Sequence, residues 1–195
     1  MSVVKKILLG HGSGGRLSRE LVEAVFLKSF SNPALLPLED AAEVKIPGAT
    51  LAFTTDSYVV TPVEFPGADI GRVAVCGTVN DLAVKGARPL ALSAGFILEE
   101  GFPMDLLSRL AASMRRAADE AGVSIVTGDT KVVEKGKADG IFINTSGVGL
   151  IPAGRSLSSA AVRPGDFIIV SGNLAEHGGA VMNERHRLGL GGATK

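Results

Sequence analysis

The sequence predicts an α+β fold built on a mixed, largely antiparallel sheet. Two observations carry that prediction. Apolar runs of strand length are interspersed with stretches of helical periodicity, and several strands are separated by turns too short for a crossover helix, which antiparallel pairing tolerates. A third observation bounds the size: 195 residues, 46% of them hydrophobic, fill one ordinary domain or one domain plus part of another.

Taken in order, the opening apolar run meets Gly10 before it reaches signal-peptide length, and a Gly-rich segment, Gly10-His11-Gly12-Ser13-Gly14-Gly15, follows. Residues 18–30 carry Leu21, Val22, Val25, Phe26 and Phe30 at helical spacing, with Ser18 as the expected N-cap and Asn32-Pro33 as the stop. Residues 50–55 read as a strand that delivers Asp56 at its end. A second helix spans 69–85 and closes at Gly86, with Val73, Gly77, Asn80, Asp81 and Val84 in one broad sector. Gly77 costs about 1 kcal/mol of helix propensity relative to Ala, so its expected use is close approach of another backbone. Residues 90–98 form a strand. Pro103 begins a third helix whose stripe is Met104, Leu107, Leu110, Ala111, Met114, Ala118 and Ala121, and Gly122 ends it. Residues 124–127 resume extended structure into Gly128-Asp129, and a polar, hairpin-like connection through Lys135-Gly136-Lys137 leads to a strand over 140–150. Beyond residue 155 the composition turns to linker chemistry, with a short strand at 167–170 and a weak helix around 180–187. Two regions result: 1–155, and 156–195 as the first piece of a second domain.

Charge and composition exclude several function classes. Twenty basic residues balance twenty acidic ones, which gives no reason to bind nucleic acid or an anionic membrane. Eight Phe, one Tyr and no Trp make a base-stacking platform unattractive. The single cysteine, Cys76, makes no internal disulfide and reads as a small buried side chain. No apolar run approaches the roughly 20 residues of a membrane helix, and a cytoplasmic location is the expectation.

The chemistry concentrates in short acidic motifs: Glu39-Asp40-Ala41-Ala42, Thr54-Thr55-Asp56-Ser57, Asn80-Asp81 and Gly128-Asp129-Thr130-Lys131. Carboxylates beside a polyphosphate make sense only with Mg²⁺ between them, a cation that prefers oxygen ligands and bridges carboxylate to phosphate. Asp56, Asp81 and Asp129 are the better ligands, since strand ends and a helix face fix them, and Asp40 is a fourth, directly or through water. Each acid alone equally suits a solvated surface or a helix cap. Lys131 places a positive charge near the same anion, or is a solvated loop lysine. The Gly-rich opening is not a P-loop or a dinucleotide fingerprint; its amides form an anion nest or a plain surface turn. His11 lacks metal-ligand partners, His177 and His186 suggest surface or interdomain roles, and Ser13 lacks the partners of an activated nucleophile.

In their order and wording these motifs resemble the HypE family of hydrogenase expression/formation proteins, within the PurM-like, AIR synthase-related superfamily of ATP-using enzymes. Beyond the acidic motifs, the matching residues include Gly10 to Gly15, Gly86-Ala87-Arg88-Pro89, the stretch from Ser93 to Gly101, and His177-Gly178. The resemblance implies a PurM-like N-terminal domain that dimerises by joining two sheets into a barrel-like centre, followed by an α/β second domain. It implies ATP and Mg²⁺ as the bound species, with Asp40, Asp56, Asp81 and Asp129 at the metal. Asn80 and Thr130 are then polar contacts to the nucleotide, and Gly12, Ser13, Gly14 and Gly15 form a mobile lid. Lys131 would face the reacting group. The implied activity is ATP-dependent dehydration of a cysteine-bound thiocarboxamide to a thiocyanate for the iron cyanide ligand of [NiFe] hydrogenase. The implied partners are a HypF-type carbamoyltransferase and a HypC–HypD assembly. That family carries its acceptor cysteine near the C-terminus; Cys76, inside a predicted helix, is no substitute, and incomplete catalysis by this chain alone is expected. The alternatives are another PurM-like ATP-using enzyme and a non-catalytic dimerisation or assembly domain.

Overall fold

The computed structural model describes residues 6–189. In chain order it contains α1 (Arg16–Leu21), a π turn (Val22–Phe26), α2 (Leu27–Phe30), β1 (Ala42–Ile46), β2 (Ala49–Tyr58), β3 (Glu64–Phe65), β4 (Ala68–Asp69), α3 (Ile70–Val84), β5 (Arg88–Glu99), α4 (Met104–Glu120), β6 (Ile125–Val133), β7 (Ile141–Ile151) and α5 (Glu176–His186). Five strands form one sheet in the order β1-β2-β7-β5-β6. Three of the pairings are antiparallel, and β5–β6 alone is parallel, joined by the crossover through α4. The α+β class and the largely antiparallel sheet are as the sequence predicts. The sheet of the single chain is open.

One face of this sheet is covered. In β7 the residues Ile141, Ile143 and Thr145 are buried at every second position, and they meet α3, against which α4 packs in turn. The main core joins Ile70, Leu92, Leu110, Met114, Ile141 and Ile143. Asp69 caps α3 by accepting from the Arg72 amide at 2.9 Å, and the helix ends ahead of Gly86 at φ 70°, the expected bounds. In α4 the expected Leu110, Met114 and Ala118 are buried, but Ser113 and Ala117 complete the stripe and Met104 and Ala111 are exposed. Ala111 stands about 100° round the helix from Leu110, off the centre of the packed face.

Three expectations are corrected. The first helix starts at Arg16 with Gly15 as its N-cap, not Ser18; the Ser18 hydroxyl instead accepts from the Gly14 amide at 2.9 Å. Val25, Phe26 and Phe30 of its predicted buried stripe are exposed, because this segment packs mainly on its own neighbouring turns, and the two phenyl rings stack on each other at 6.3 Å. Residues 167–170 form no strand and pair with none among the described residues, leaving Phe167, Ile168 and Ile169 about nine-tenths exposed. An apolar run supplies strand propensity, and a strand also needs a neighbour to bond.

The segment beyond β7 is tied down at two places. Lys85, at the end of α3 and 5% exposed, forms ion pairs with Glu39 at 3.4 Å and Glu43 at 3.1 Å and donates to the Leu157 carbonyl at 3.0 Å. Glu39 accepts from the Ser158 hydroxyl at 2.5 Å and from the Ser159 amide and hydroxyl; the Ser158 bond first, with Lys85 assisting, holds its carboxyl below the usual range. Farther on, Ala180 and Val181 of α5 bury against Phe65, His177 meets the Phe65 ring edge-on, and Arg185 Nε donates to the Thr61 carbonyl at 2.7 Å.

Candidate functional site

Strand alternation sorts β2 into two sets. Thr54, Asp56 and Tyr58 face α3, whereas Phe53, Thr55 and Ser57 face away from it. On α3 the turn from Gly77 to Asp81 lies opposite the first set. The Thr54 hydroxyl sits 2.9 Å from both Asp81 Oδ2 and the Asp40 carbonyl oxygen, so it ties three acidic motifs to one point. Beside it the Tyr58 hydroxyl donates to Asp56 Oδ2 at 3.0 Å.

Burial, above all, and then the charges of Asp56 and Asp40 push the Asp81 carboxyl up to about 6, against the opposing effect of the Thr54 hydroxyl. Two facing carboxylates with a third nearby repel one another in a half-buried place, which is the electrostatic preparation for a cation. Burial first, and the Asp56 carboxylate after it, hold the Tyr58 phenol well above its ordinary range, so it remains a donor. Beneath the carboxylates runs a buried polar ladder: Thr78 and Thr145 hydroxyls 2.5 Å apart, with Thr145 donating to the Ala74 carbonyl at 2.9 Å. The sequence reading names Thr54 only as a member of its acidic motif and misses Tyr58, Thr78, Thr145 and Lys85. Thr54, Tyr58 and Thr145 are ordinary strand residues, which only the packing of β2 and β7 on α3 distinguishes, and Lys85 is marked only by its distant partners Glu39 and Glu43.

The remaining predicted residues lie elsewhere. β6 continues through the acidic motif to Val133, so Asp129, Thr130 and Lys131 are strand residues and not a loop. In that parallel register Asp129 pairs with Gly95 and Lys131 with Ile97, and Gly95 pairs across β7 with Asn144. Asp129 and Lys131 line a shallow depression with Ser57 and Asn144, on the sheet face opposite Asp56 and Asp81. Thr130 pairs with Phe96 and alternates to the helix-side face. Asn80 is exposed on α3. In the Gly-rich segment Ser13 donates to the Gly10 carbonyl and Gly14 to Ser18, and no hydrogen bond joins Gly12, Ser13, Gly14 or Gly15 to the acidic residues among those described. Gly14 shares a hollow with Leu38, Glu39 and Ala42, which flank Asp40.

Among the described residues no three His, Cys, Asp or Glu side chains are set to hold a metal by themselves. The donors at Asp56, Asp81 and Asp40 are all oxygen, however, and Mg²⁺ typically takes one or two carboxylates, several waters and phosphate oxygens. The set fits that ion and would not suit a softer metal. No helix among the described residues is long and apolar enough to cross a membrane.

Comparison with known proteins agrees with this fold. The model of the AIR synthase related protein N-terminal domain matches residues 38–151. The carbamoyl dehydratase HypE of Rhodobacter capsulatus is 57% identical over 188 residues, covering 95% of this chain and 55% of the relative. A solved HypE–HypF complex superposes with a TM-score of 0.80 at 52% identity, over 86% of this chain and 54% of the other. A HypE structure in complex with ATP superposes at 0.70 with 53% identity, over 94% and 54%. The chain thus spans about half the length of the relatives it matches.

Proposed function

The chain belongs to the AIR synthase related family and is similar to its HypE members, and on that premise we propose that it forms the ATP- and Mg²⁺-binding N-terminal portion of a HypE-type hydrogenase maturation enzyme. The observation that carries the proposal is the facing of Asp56 and Asp81 across β2 and α3, on a frame that superposes on an ATP-bound relative. Asp56 and Asp81 take the cation with Asp40 near them, and Gly12, Ser13, Gly14, Gly15, Asn80 and Thr130 contribute to the nucleotide. Mg²⁺, when bound, supplies charge neutralisation on the transferring phosphate.

The working unit is a homodimer joined through the open face of the sheet. That face carries Phe53 and Ile97, 46% and 43% exposed, and the exposed edge strand with Val126 and Val132 lies at its margin; apolar exposure of this kind favours a covering partner. A dimer also gives Asp129 and Lys131 a role that one chain denies them. From the far face they complete the site of the neighbouring subunit, Asp129 at its metal and Lys131 towards its reacting oxygen. Residues 156–189 form the beginning of the second domain.

In the complete protein the reaction is dehydration of a cysteine-bound thiocarboxamide. The amide oxygen attacks the γ-phosphorus of ATP and the bond to ADP breaks; the nitrogen then gives up its protons as phosphate departs with that oxygen, leaving a thiocyanate. Cys76 packs against the core on α3 and is not the acceptor. The carbamoyl group comes from a HypF-type partner, in keeping with the solved HypE–HypF complex, and the cyano group passes to a HypC–HypD assembly in the cytoplasm. The test is ATP binding by the chain with and without Mg²⁺, beside Asp56→Asn and Asp129→Asn. Mg²⁺-dependent binding weakened in both variants is expected. Absence of such binding in a folded, dimeric preparation would sink the proposal.

A further inference from the structure

We infer that Tyr58 is a positioning residue for the cation site, acting through the Asp56 carboxylate; the inference rests on the cation reading given above. Hydroxyl bookkeeping fixes its direction. Thr145 spends its one proton on the Ala74 carbonyl, so in the 2.5 Å contact between the two threonines Thr78 donates and Thr145 accepts. Thr78 then has no proton left for Tyr58, 3.4 Å away, so the phenol can only donate, and the nearer, charged acceptor is Asp56 Oδ2 at 3.0 Å. One carboxylate oxygen of Asp56 is thereby pinned, which fixes the carboxylate beside Asp81 and leaves its other oxygen for a cation.

The backbone is shaped to admit this arrangement. A Cβ at position 77 would collide with the Tyr58 hydroxyl and ring, so Gly77 holds open the space through which the phenol reaches Asp56. A glycine in the interior of a 15-residue helix costs stability, and the three atoms nearest a Cβ there all belong to Tyr58. The sequence predicts close approach of another backbone at Gly77; the approaching group is instead the Tyr58 side chain. A tyrosine whose hydroxyl served only packing would not need a carboxylate partner two residues away on its own strand. Groups that hold a ligating carboxylate typically change metal affinity by about 10- to 100-fold when removed.

The experiment measures Mn²⁺ binding by electron paramagnetic resonance for the chain, for Tyr58→Phe and for Asp56→Asn, with the urea midpoint of each recorded without metal. Tyr58→Phe is expected to bind Mn²⁺ about 10-fold or more weakly while still folded at the assay temperature. The full Mn²⁺ stoichiometry should be recovered at higher metal concentration, which a general loss of structure would not give. Wild-type affinity in Tyr58→Phe with loss in Asp56→Asn overturns the positioning role and leaves the cation reading standing. Wild-type affinity in Asp56→Asn removes the cation reading and this inference with it.

Discussion

Replacing Asp81 by Asn should make the chain more stable at neutral pH in the absence of divalent cation. The Asp81 carboxyl lies at about 6, above its ordinary 3.8, chiefly because it is buried. A carboxyl raised by folding costs stability wherever both states are ionised, above about pH 6, and the cost shrinks as pH falls and the folded state takes up its proton. A displacement of about two units corresponds to ~3 kcal/mol at 1.36 kcal/mol per unit. The site is far from fully enclosed, so solvent screening reduces this to on the order of 1 kcal/mol. The amide that replaces the carboxylate still accepts from the Thr54 hydroxyl and adds a donor towards Asp56. Urea unfolding with chelator present at pH 7.5 should therefore show a midpoint raised by about 0.5 M, taking an m-value near 2 kcal/mol/M. At pH 5 the advantage should fall, and saturating Mg²⁺ at pH 7.5 should reverse the order by stabilising the wild type alone. A variant no more stable than wild type at pH 7.5, or an advantage of equal size at pH 5, would refute the reasoning.

Lys85→Ala should cost on the order of 1–2 kcal/mol in urea unfolding, since Glu39, 12% exposed, loses its cation while Glu43 is solvated and Ser158 and Ser159 still bond Glu39; it should also speed proteolytic cleavage within 156–162, where Leu157 loses its bond to Lys85. Gly128→Ala should loosen β6, because a Cβ there would strike the Ala94 carbonyl of β5. Hydrogen exchange of the β6 amides is expected to quicken by at least 10-fold, with β2 and β7 unchanged.

What the sequence made legible was whatever is local. Asp69 and Gly86 bracket α3, Pro103 and Gly122 bracket α4, and the short connection after β1 marks an antiparallel neighbour, whereas the equally local connection after β6 leads to β7, two places away in the sheet. The acidic motifs were legible as a group, yet their division between two faces was not. It depends on β6 extending past Gly128 and on the parity of the register Asp129–Gly95–Asn144–Ser57, which no local pattern encodes. The polar residues Asp129, Thr130 and Lys131 look like a loop because an edge strand has few buried positions to reveal it. Tyr58 escaped notice for a related reason: its meaning lies in Gly77, nineteen positions away and on a helix.

The central strand of the sheet is also the last one in the sequence. β7 bonds β2 on one side and β5 on the other, so until residue 151 has been synthesised the chain holds a β1–β2 hairpin and a β5–α4–β6 unit with nothing between them. Contacts separated by some 90 residues close slowly, because the loop entropy is lost before the bonds form. At about 5–20 residues per second, the translated chain waits seconds for the piece that joins its halves. Folding of this domain should be all-or-none and late, with little order surviving in any product that ends before Ile141.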